Sequence, residues 1–162
     1  MRIAILTVSD GASRGARPDL SGPAIREWAL GRGDSVAAER VVGDDVGAIA
    51  GVLADWADGD KADVILTTGG TGLAPRDVTP EATKQVLERF APGIAEALRF
   101  TAFARVPKAA LSRGLSGTRG KTLLINLPGS PKAVREGLEV LDQVLNHAVA
   151  ILRGETTSHE TA

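Results

Sequence analysis

The hydrophobic and polar residues of this chain follow two alternating patterns. Short apolar runs predict buried strands at residues 3–8, Ser35–Val42, 64–67 and Thr122–Leu127. Elsewhere, apolar residues recur at three- and four-residue steps, which is the period of a helix with one buried face. The predicted helices are residues 23–32, Val46–Asp58, a helix that begins at Pro80 and is broken at Pro92-Gly93, residues 94–105, and a longest helix after Ser130 whose apolar stripe continues to Leu152.

The order of these elements predicts the fold class. Strands and helices alternate, and the strands are apolar throughout, so both faces of the sheet must be covered. We therefore expect an α/β fold of three layers, α/β/α, with a mostly parallel central sheet. It should form one domain over residues 1–153, followed by a polar C-terminal tail at residues 154–162.

Composition narrows the possible functions. The chain has 162 residues, a formal net charge of -1 and no cysteine. The charge gives no electrostatic basis for binding nucleic acid or an anionic membrane, and the lack of cysteine excludes disulfides, thiolate catalysis and cysteine-ligated metals. No apolar run approaches the roughly 18 residues of a membrane span, and the apolar start is too short for the core of a signal peptide. These features predict a cytoplasmic protein.

The strongest candidate site is the segment TTGGTGLAPRDVT, residues 67–79, which directly follows a predicted strand. Ligands of parallel α/β sheets bind beyond the carboxyl ends of the strands, and glycine N–H groups can surround an anion. Arg76 and Asp77 follow the glycines. Thr79 is the expected N-cap of a helix that begins at Pro80 and whose dipole favours a phosphate. The alternative is a glycine-rich turn that only lets strand and helix pack.

Two further segments at predicted strand ends offer donors for an anion. Pro128, Gly129 and Ser130 form a tight turn into a helix, although capping of that helix by Ser130 explains the serine equally well. Residues 9–21 form a long Gly/Ser/Arg-rich connection, and long loops in compact domains are usually functional or mobile. Its arginines, at 14 and 17, are candidate phosphate ligands or simply solvated surface residues.

A pair of aspartates follows the second predicted strand. Of Asp44 and Asp45, one is needed as the N-cap of the next helix, so the other carboxylate is free to face the cleft. Together with Asp77 it can hold Mg²⁺, which proteins often bind through one or two carboxylates plus substrate phosphates.

The segment GLSGTRGKT, residues 114–122, looks like a P-loop but is not one. A P-loop has four residues between its first glycine and the Gly-Lys pair, and it leads into a helix. Here five residues intervene and a strand follows. No GxGxxG motif follows the first strand either. His147 and His159 have no serine or cysteine partner at a recognisable spacing, so both are expected to be surface or packing residues.

Taken together, these motifs resemble the molybdopterin-binding (MogA/MoaB-like) family. The signature is the run from Thr67 to Gly72 followed by RDVTPEA at residues 76–82. Supporting matches, in the same order along the chain, are TVSD at 7–10, DLSG at 19–22, SR at 112–113, GKT at 120–122 and NLPGSP at 126–131. The resemblance covers nearly the whole chain.

The resemblance implies a three-layer α/β/α fold and a homo-oligomer, either a trimer or a hexamer. It also implies that molybdopterin is joined to AMP from MgATP, with release of pyrophosphate. Asp77 and the aspartate after the second strand would be the catalytic, metal-binding carboxylates, facing each other across neighbouring strand ends. We align that aspartate with Asp44. The family usually has Pro-Asp-Glu where this chain has Gly43-Asp44-Asp45, which leaves Asp45 as the alternative.

The resemblance and the strand-end segments together give the expected substrate-binding residues, which are Ser9, Ser21, Gly22, Thr68, Gly69, Gly70, Thr71, Gly72, Pro128, Gly129 and Ser130. No side-chain base is expected, because a phosphate nucleophile is already mostly ionised near neutral pH. One alternative is a non-catalytic pterin-binding or assembly protein on the same fold. Another is the related domain of the longer molybdate-inserting proteins, which are also the expected downstream partner.

Overall fold

The computed structural model describes residues 1–155, and these include a six-stranded sheet. The strands are β1 (Arg2–Val8), β2 (Ser35–Val42), β3 (Val64–Thr68), β4 (Arg89–Phe90), β5 (Ser116–Arg119) and β6 (Thr122–Leu127). The helices are α1 (Asp10–Ser13), α2 (Ser21–Gly31), α3 (Val46–Asp58), α4 (Thr79–Val86), α5 (Pro92–Phe103), α6 (Pro131–Leu141) and α7 (Leu145–Arg153), with a 3-10 helix at Pro107–Leu111. From residue 156 on, the predicted polar tail, which includes His159, lies outside the described residues.

The sheet is mostly parallel, as predicted. Its strand order is β2-β1-β3-β6-β5-β4, and the pairs β1–β2, β1–β3 and β3–β6 are parallel. The two pairings at one edge, β6–β5 and β5–β4, are antiparallel. The carboxyl ends of β1, β3 and β6 therefore lie side by side, which places the loops after Val8, Thr68 and Leu127 next to one another.

Helices cover both faces of the sheet and give the predicted three layers. Successive residues of β1 point to opposite faces, so Ile3 and Ile5 pack with α2, α6 and α7, whereas Ala4 and Leu6 pack with α3 and α4. The α3 stripe predicted from sequence, Ile49, Leu53 and Trp56, is buried against this second face. Among the described helices, none is both long enough and apolar enough to cross a membrane.

The helices after residue 78 differ from the prediction in three ways. Thr79 is not an N-cap but the first residue of α4, whose N-cap is Val78. That helix ends at Val86, well before Pro92, which instead opens α5. The predicted longest helix is two helices, α6 and α7. At the break, Asp142 accepts hydrogen bonds from Trp28 in α2 and from Arg32 at the end of α2. The apolar stripe resumes at Leu145.

The edge strands β4 and β5 were absent from the sequence prediction because they are short and lack an apolar pattern. Their sequences are RF and SGTR. The segment that looks like a P-loop is a hairpin from β5 to β6 that turns at Gly120, with φ 53°. It passes from strand to strand, so the rejection of the P-loop is confirmed.

Candidate functional site

A cleft of about 480 Å³ opens at the carboxyl ends of the parallel strands. The loops after β1, β2, β3 and β6 all contribute to it. The predicted site residues that line it are Ser9, Ser21, Asp44, Thr68, Gly69, Gly70, Asp77, Gly129 and Ser130. Four other predicted residues do not line it, namely Gly22, Thr71, Gly72 and Pro128.

The glycine loop after β3 requires glycine at its first two positions. Gly69 has φ 99° and Gly70 has φ 62°, both in the left-handed region. A Cβ at Gly69 would lie 2.2 Å from the carbonyl oxygen of Val8, and a Cβ at Gly70 would lie 3.1 Å from Asp44 Oδ1. The two glycines therefore let the loop pass directly under the carboxyl ends of β1 and β2.

Side-chain hydroxyls tie the strand ends to one another. Thr68 Oγ1 donates to the carbonyl of Pro128 at 2.7 Å, and Ser21 Oγ donates to the carbonyl of Gly129 at 2.8 Å. These bonds join the loop after β6 to β3 on one side and to the start of α2 on the other. The floor of the cleft is therefore cross-linked through three elements that are distant in sequence.

Main-chain N–H groups provide anion donors in the cleft. Within residues 1–155, the amides of Gly70, Gly129 and Ser130 have no hydrogen-bond partner. Ser130 is the N-cap of α6, as predicted, and its Oγ accepts from the amide of Ala133 at 3.2 Å. Unpaired amides at a glycine loop and a helix start suit a phosphate.

The start of α4 does not offer the phosphate site that the sequence suggested. The amide of Thr79 donates to the carbonyl of Gly70 at 3.1 Å, and Thr79 Oγ1 donates to that of Gly69 at 2.8 Å. Thr79 and Pro80 are both buried and do not line the cleft. The donors of Thr79 at this helix start are therefore bonded to the preceding loop and are not available to a phosphate.

Of the two aspartates after β2, Asp45 is the helix cap. Its carboxylate accepts from the amide of Ala48 at 2.8 Å. Asp44 instead faces the cleft, and its Oδ2 accepts from the amide of Asp10 at 2.8 Å. The capping role leaves Asp44 as the carboxylate available to a ligand, in agreement with the alignment.

The sequence suggested that the two cleft aspartates face each other across neighbouring strands. The structure corrects this, because the two strands concerned are not neighbours. Strand β1 lies between β2, which precedes Asp44, and β3, which precedes the loop of Asp77. Asp77 Oδ2 accepts from the amide of Ala74 at 2.9 Å, within its own loop. Both carboxylates therefore line the same cleft, but the end of β1 lies between them.

Asp10 occupies the end of that intervening strand. Its Oδ1 accepts from the amide of Asp44 at 3.1 Å, and its Oδ2 accepts from Arg76 Nη2 at 2.6 Å. The amide of Asp44 and the guanidinium of Arg76 lower the pKa of Asp10. Arg76 is thereby engaged in an ion pair outside the cleft.

Sequence reasoning missed Asp19 as a cleft residue. Its carboxylate accepts from Thr7 Oγ1 at 2.6 Å and from the amides of Ser21 and Gly22, both at 3.0 Å. Asp19 thus fixes the start of α2 at Ser21, and the signal available in the sequence was an aspartate four residues before the helix predicted from residue 23. Of the arginines in the 9–21 connection, Arg17 lines the cleft and donates to Ser9 Oγ at 3.0 Å, whereas Arg14 does not line it.

A second cavity, of about 280 Å³, adjoins the cleft at Ser130, which lines both. It lies between α5, the 3-10 helix and α6, and most of its wall is apolar. Polar groups reach it from Ser112 and Asn126.

Comparison with known proteins places these features in context. Residues 4–147 match the family described as "Probable molybdopterin binding domain". The molybdopterin adenylyltransferase of Helicobacter pylori is 42% identical over 164 residues, which cover 95% of this chain and 89% of that protein. The crystal structure of the molybdopterin biosynthesis enzyme MoaB from Thermus thermophilus is 52% identical, with a TM-score of 0.89 over 94% of this chain and 96% of that one.

Some relatives are much longer than this chain. The molybdenum cofactor synthesis protein cinnamon of Drosophila melanogaster is 43% identical over 152 residues, which cover 91% of this chain but only 25% of that protein. The chain therefore corresponds to about a quarter of this relative, and to most of the bacterial adenylyltransferase.

Proposed function

The chain belongs to the probable molybdopterin binding family, and from this premise we propose that it is a molybdopterin adenylyltransferase of molybdenum cofactor biosynthesis. It would join molybdopterin to AMP from MgATP and release pyrophosphate. The observation that carries the proposal is the composition of the cleft, in which Asp44 and Asp77 lie with the unpaired amides of Gly70, Gly129 and Ser130. Amides can hold phosphate oxygens, and carboxylates can hold a metal that neutralises them.

The charge of the cleft supports a need for magnesium. Its lining includes three carboxylates, of Asp19, Asp44 and Asp77, but only one cationic side chain, that of Arg17. A triphosphate would be repelled from such a surface unless a cation accompanied it. Magnesium bound to ATP would supply that charge and assist departure of pyrophosphate.

The donor set fits magnesium that arrives with a substrate. One oxygen of Asp44 and one of Asp77 accept main-chain N–H groups, which leaves the other oxygen of each without a hydrogen bond among the described residues. Over residues 1–155 there is no group of three or more His, Cys, Asp or Glu residues that can hold a metal by itself. Magnesium is commonly held by one or two carboxylates with the remaining ligands from phosphate and water.

The reaction needs positioning more than proton transfer. An oxygen of the terminal phosphate of molybdopterin would form a bond to the α-phosphorus of ATP, while the bond from that phosphorus to the bridging oxygen breaks. Pyrophosphate leaves with the electron pair. The nucleophile is already ionised near neutral pH, so no side-chain base is required. The amides of Gly70 and Gly129 would hold phosphate oxygens in line.

The second cavity is the proposed place of the pterin ring. Most of its wall is apolar, and four charged residues, Arg99, Arg105, Lys132 and Glu136, also line it. Such a mixture suits a flat heteroaromatic ring with polar edges. Because Ser130 lines both cavities, a molecule with its ring in one can place its terminal phosphate in the other.

The proposed enzyme works as a homo-oligomer, a trimer or a hexamer, in the cytoplasm, and passes its product to a molybdate-inserting protein. Large apolar side chains exposed beside the second cavity support self-association, since Phe100 is 83% exposed and Phe103 50%. Light scattering on the purified protein tests the assembly, and the double variant Phe100→Ser and Phe103→Ser should reduce the measured mass to that of a monomer.

The direct test is to incubate the protein with molybdopterin and MgATP and to detect adenylylated molybdopterin by mass spectrometry. We expect product and equimolar pyrophosphate, and neither when EDTA is present. Calorimetric titration separates the non-catalytic alternative. Binding of molybdopterin without any Mg²⁺-dependent binding of ATP would replace the enzyme by a pterin-binding protein.

A further inference from the structure

The loop that carries Asp77 has no helix or strand of its own. It leaves β3 at Gly69 and joins α4 at Thr79, and the hydrogen bonds of Thr79 to Gly69 and Gly70 fix only its two ends. Between them, residues 73–76 are exposed. The bond from the amide of Ala74 to the Asp77 carboxylate is local to the loop. Contacts from elsewhere must therefore orient the loop toward the cleft.

One such contact is the ion pair of Arg76 with Asp10. Arg113 supplies several more, from outside the cleft. Its amide donates to the carbonyl of Thr71 at 2.8 Å, and its Nε donates to that of Gly72 at 2.7 Å. Its Nη2 donates to the carbonyl of Asp77, and its Nη1 pairs with Glu81. A single residue thus binds the main chain before and after the turn that presents Asp77.

The shape of the guanidinium explains why arginine serves here. Its N–H donors form a rigid planar fork, whereas a lysine ammonium is a point charge on a flexible stem. Two arms of the fork bind carbonyls five positions apart, at Gly72 and Asp77, and so fix the width of the turn. The third reaches Glu81, whose pKa Arg113 lowers. That carboxylate is therefore ionised at neutral pH and holds the guanidinium in place.

We propose that Arg113 is a positioning residue that holds the Asp77 carboxylate in the cleft. It does not line the cleft itself, so it acts only through the loop. This inference rests on the proposed function and deepens it, because it names the residue that orients one of the two proposed catalytic carboxylates.

Arg119 provides a matched control for mutagenesis. Its side chain is 26% exposed, against 33% for Arg113. Like Arg113 it pairs with a carboxylate, that of Asp58, and donates to a main-chain carbonyl, that of Val86. It lies on β5 and binds no residue of the Asp77 loop, so Arg119→Ala reproduces the lost ion pair without the lost positioning.

The first experiment separates kcat from KM in Arg113→Ala, Arg113→Lys and Arg119→Ala. We expect kcat to fall about 10- to 100-fold in both Arg113 variants, because a displacement of about 1 Å of a reacting group costs up to about 100-fold. KM for ATP should change less than about threefold, since the glycine amides are untouched. Arg119→Ala should keep wild-type kcat. An Arg113 variant with wild-type kcat, or equal losses in Arg113→Ala and Arg119→Ala, overturns the proposal.

Chemical rescue distinguishes positioning from general support of the fold. Millimolar guanidinium ion, added to Arg113→Ala, should occupy the vacated position and restore part of kcat. The same addition should leave Arg119→Ala unchanged. If Arg113→Ala is slower than Arg119→Ala but guanidinium does not restore its kcat, the result contradicts a role for the guanidinium group itself.

Hydrogen exchange tests the inference without the reaction. The amides of Ala74 and Asp77, which are hydrogen-bonded within the loop, should exchange at least tenfold faster in Arg113→Ala than in the wild type, and at the wild-type rate in Arg119→Ala. If the wild-type protein forms no adenylylated product, the proposed function fails while this measurement still decides whether Arg113 holds the loop. Unchanged exchange in Arg113→Ala overturns the inference in either case.

Discussion

The two ends of the parallel sheet use aspartates in opposite ways. At the amino end, Asp63 is buried and accepts from Arg2 N at 2.7 Å and from Arg2 Nε at 3.1 Å, and it also pairs with Arg153. Arg2 reaches Asp60 as well. Every charge there is matched by an opposite charge, so the network joins β1, β3 and the end of α7.

At the carboxyl end, the three aspartates that line the cleft have no cationic partner among residues 1–155. Among residues 1–155, Asp19, Asp44 and Asp77 accept hydrogen bonds from main-chain N–H groups and one threonine, but none forms an ion pair. The same residue type therefore stabilises the fold at one end and remains available to a cationic ligand at the other. This contrast makes separate predictions for activity and for stability.

The largest effect should come from removing the charge of a cleft aspartate. In Asp77→Asn and in Asp44→Asn, we expect the rate of pyrophosphate release to fall about 1,000-fold, which corresponds to about 4 kcal/mol of transition-state stabilisation. The melting temperature should stay within about 2 °C of the wild type. Asp55→Asn, on the exposed face of α3, is the control and should keep full activity. Near-normal rates in both cleft variants would remove the catalytic assignment.

The next effect is on stability, at the amino end. Asp63→Asn leaves Arg153 and Arg2 without their shared partner, and breaking a buried ion pair costs about 3 kcal/mol. The melting temperature should fall by about 6–12 °C, with activity at 25 °C unchanged. Asp60→Asn is the control, because Asp60 is 67% exposed and such pairs contribute less than about 1 kcal/mol. Equal melting temperatures for the two variants would contradict the contrast between buried and exposed aspartates.

A smaller effect separates backbone strain from displacement of Asp44. Gly70 and Gly120 have φ 62° and 53°, so alanine at either costs about 1 kcal/mol in backbone strain. Nothing lies within 4 Å of a Cβ at Gly120, whereas a Cβ at Gly70 meets Thr79 Oγ1 at 2.5 Å and Asp44 Oδ1 at 3.1 Å. We expect Gly70→Ala to lower activity about tenfold and Gly120→Ala to leave it unchanged, in assays of initial rate. Similar activity in the two variants would show that the close approach of Gly70 to Thr79 and Asp44 is unimportant.

The smallest effect is a pH dependence. Burial raises the pKa of Asp63, but the hydrogen bonds from Arg2 and the charge of Arg153 lower it by more. The folded-state pKa is therefore below the usual value. Its contribution to stability is complete above the unfolded pKa of about 3.9 and is lost as pH falls through the folded pKa. The difference in free energy of unfolding between wild type and Asp63→Asn should therefore shrink below about pH 4. A constant difference from pH 7 to pH 2, measured by urea titration, would contradict this.

Sequence predicted which loops meet, because chain direction and strand order bring the same strand ends together. Apolar strands imply a parallel sheet, and parallel strands place their following loops at one edge. The capping argument showed that one of Asp44 and Asp45 is free, since a helix start needs only one carboxylate; the structure shows that Asp45 is the cap. These inferences depend on local rules, which the printed sequence contains.

Other features depend on contacts that no local pattern carries. Asp19 and Arg113 act through hydrogen bonds to residues far along the chain, such as Thr7 and Gly72. Strand β4 is two residues long and is defined by its pairing with β5 at the edge of the sheet, a contact that its own sequence does not indicate. The break between α6 and α7 has neither proline nor glycine, and the buried stripe runs across it. Periodicity alone therefore predicted one helix.

The bonds of Thr79 to Gly69 and Gly70 have a consequence for how this site can change. They bring the two ends of residues 69–79 together, so the segment is an Ω-loop that departs from and returns to one point. Its composition between Leu73 and Pro75 can vary with little effect on β3 or α4, because the bonds of Thr79 close the segment and Arg76 and Arg113 hold the rest of it. Asp77 thus lies on a loop that is closed off from the strand and the helix it connects. Substitutions there can retune the chemistry of the cleft while the folding of the domain stays as it is.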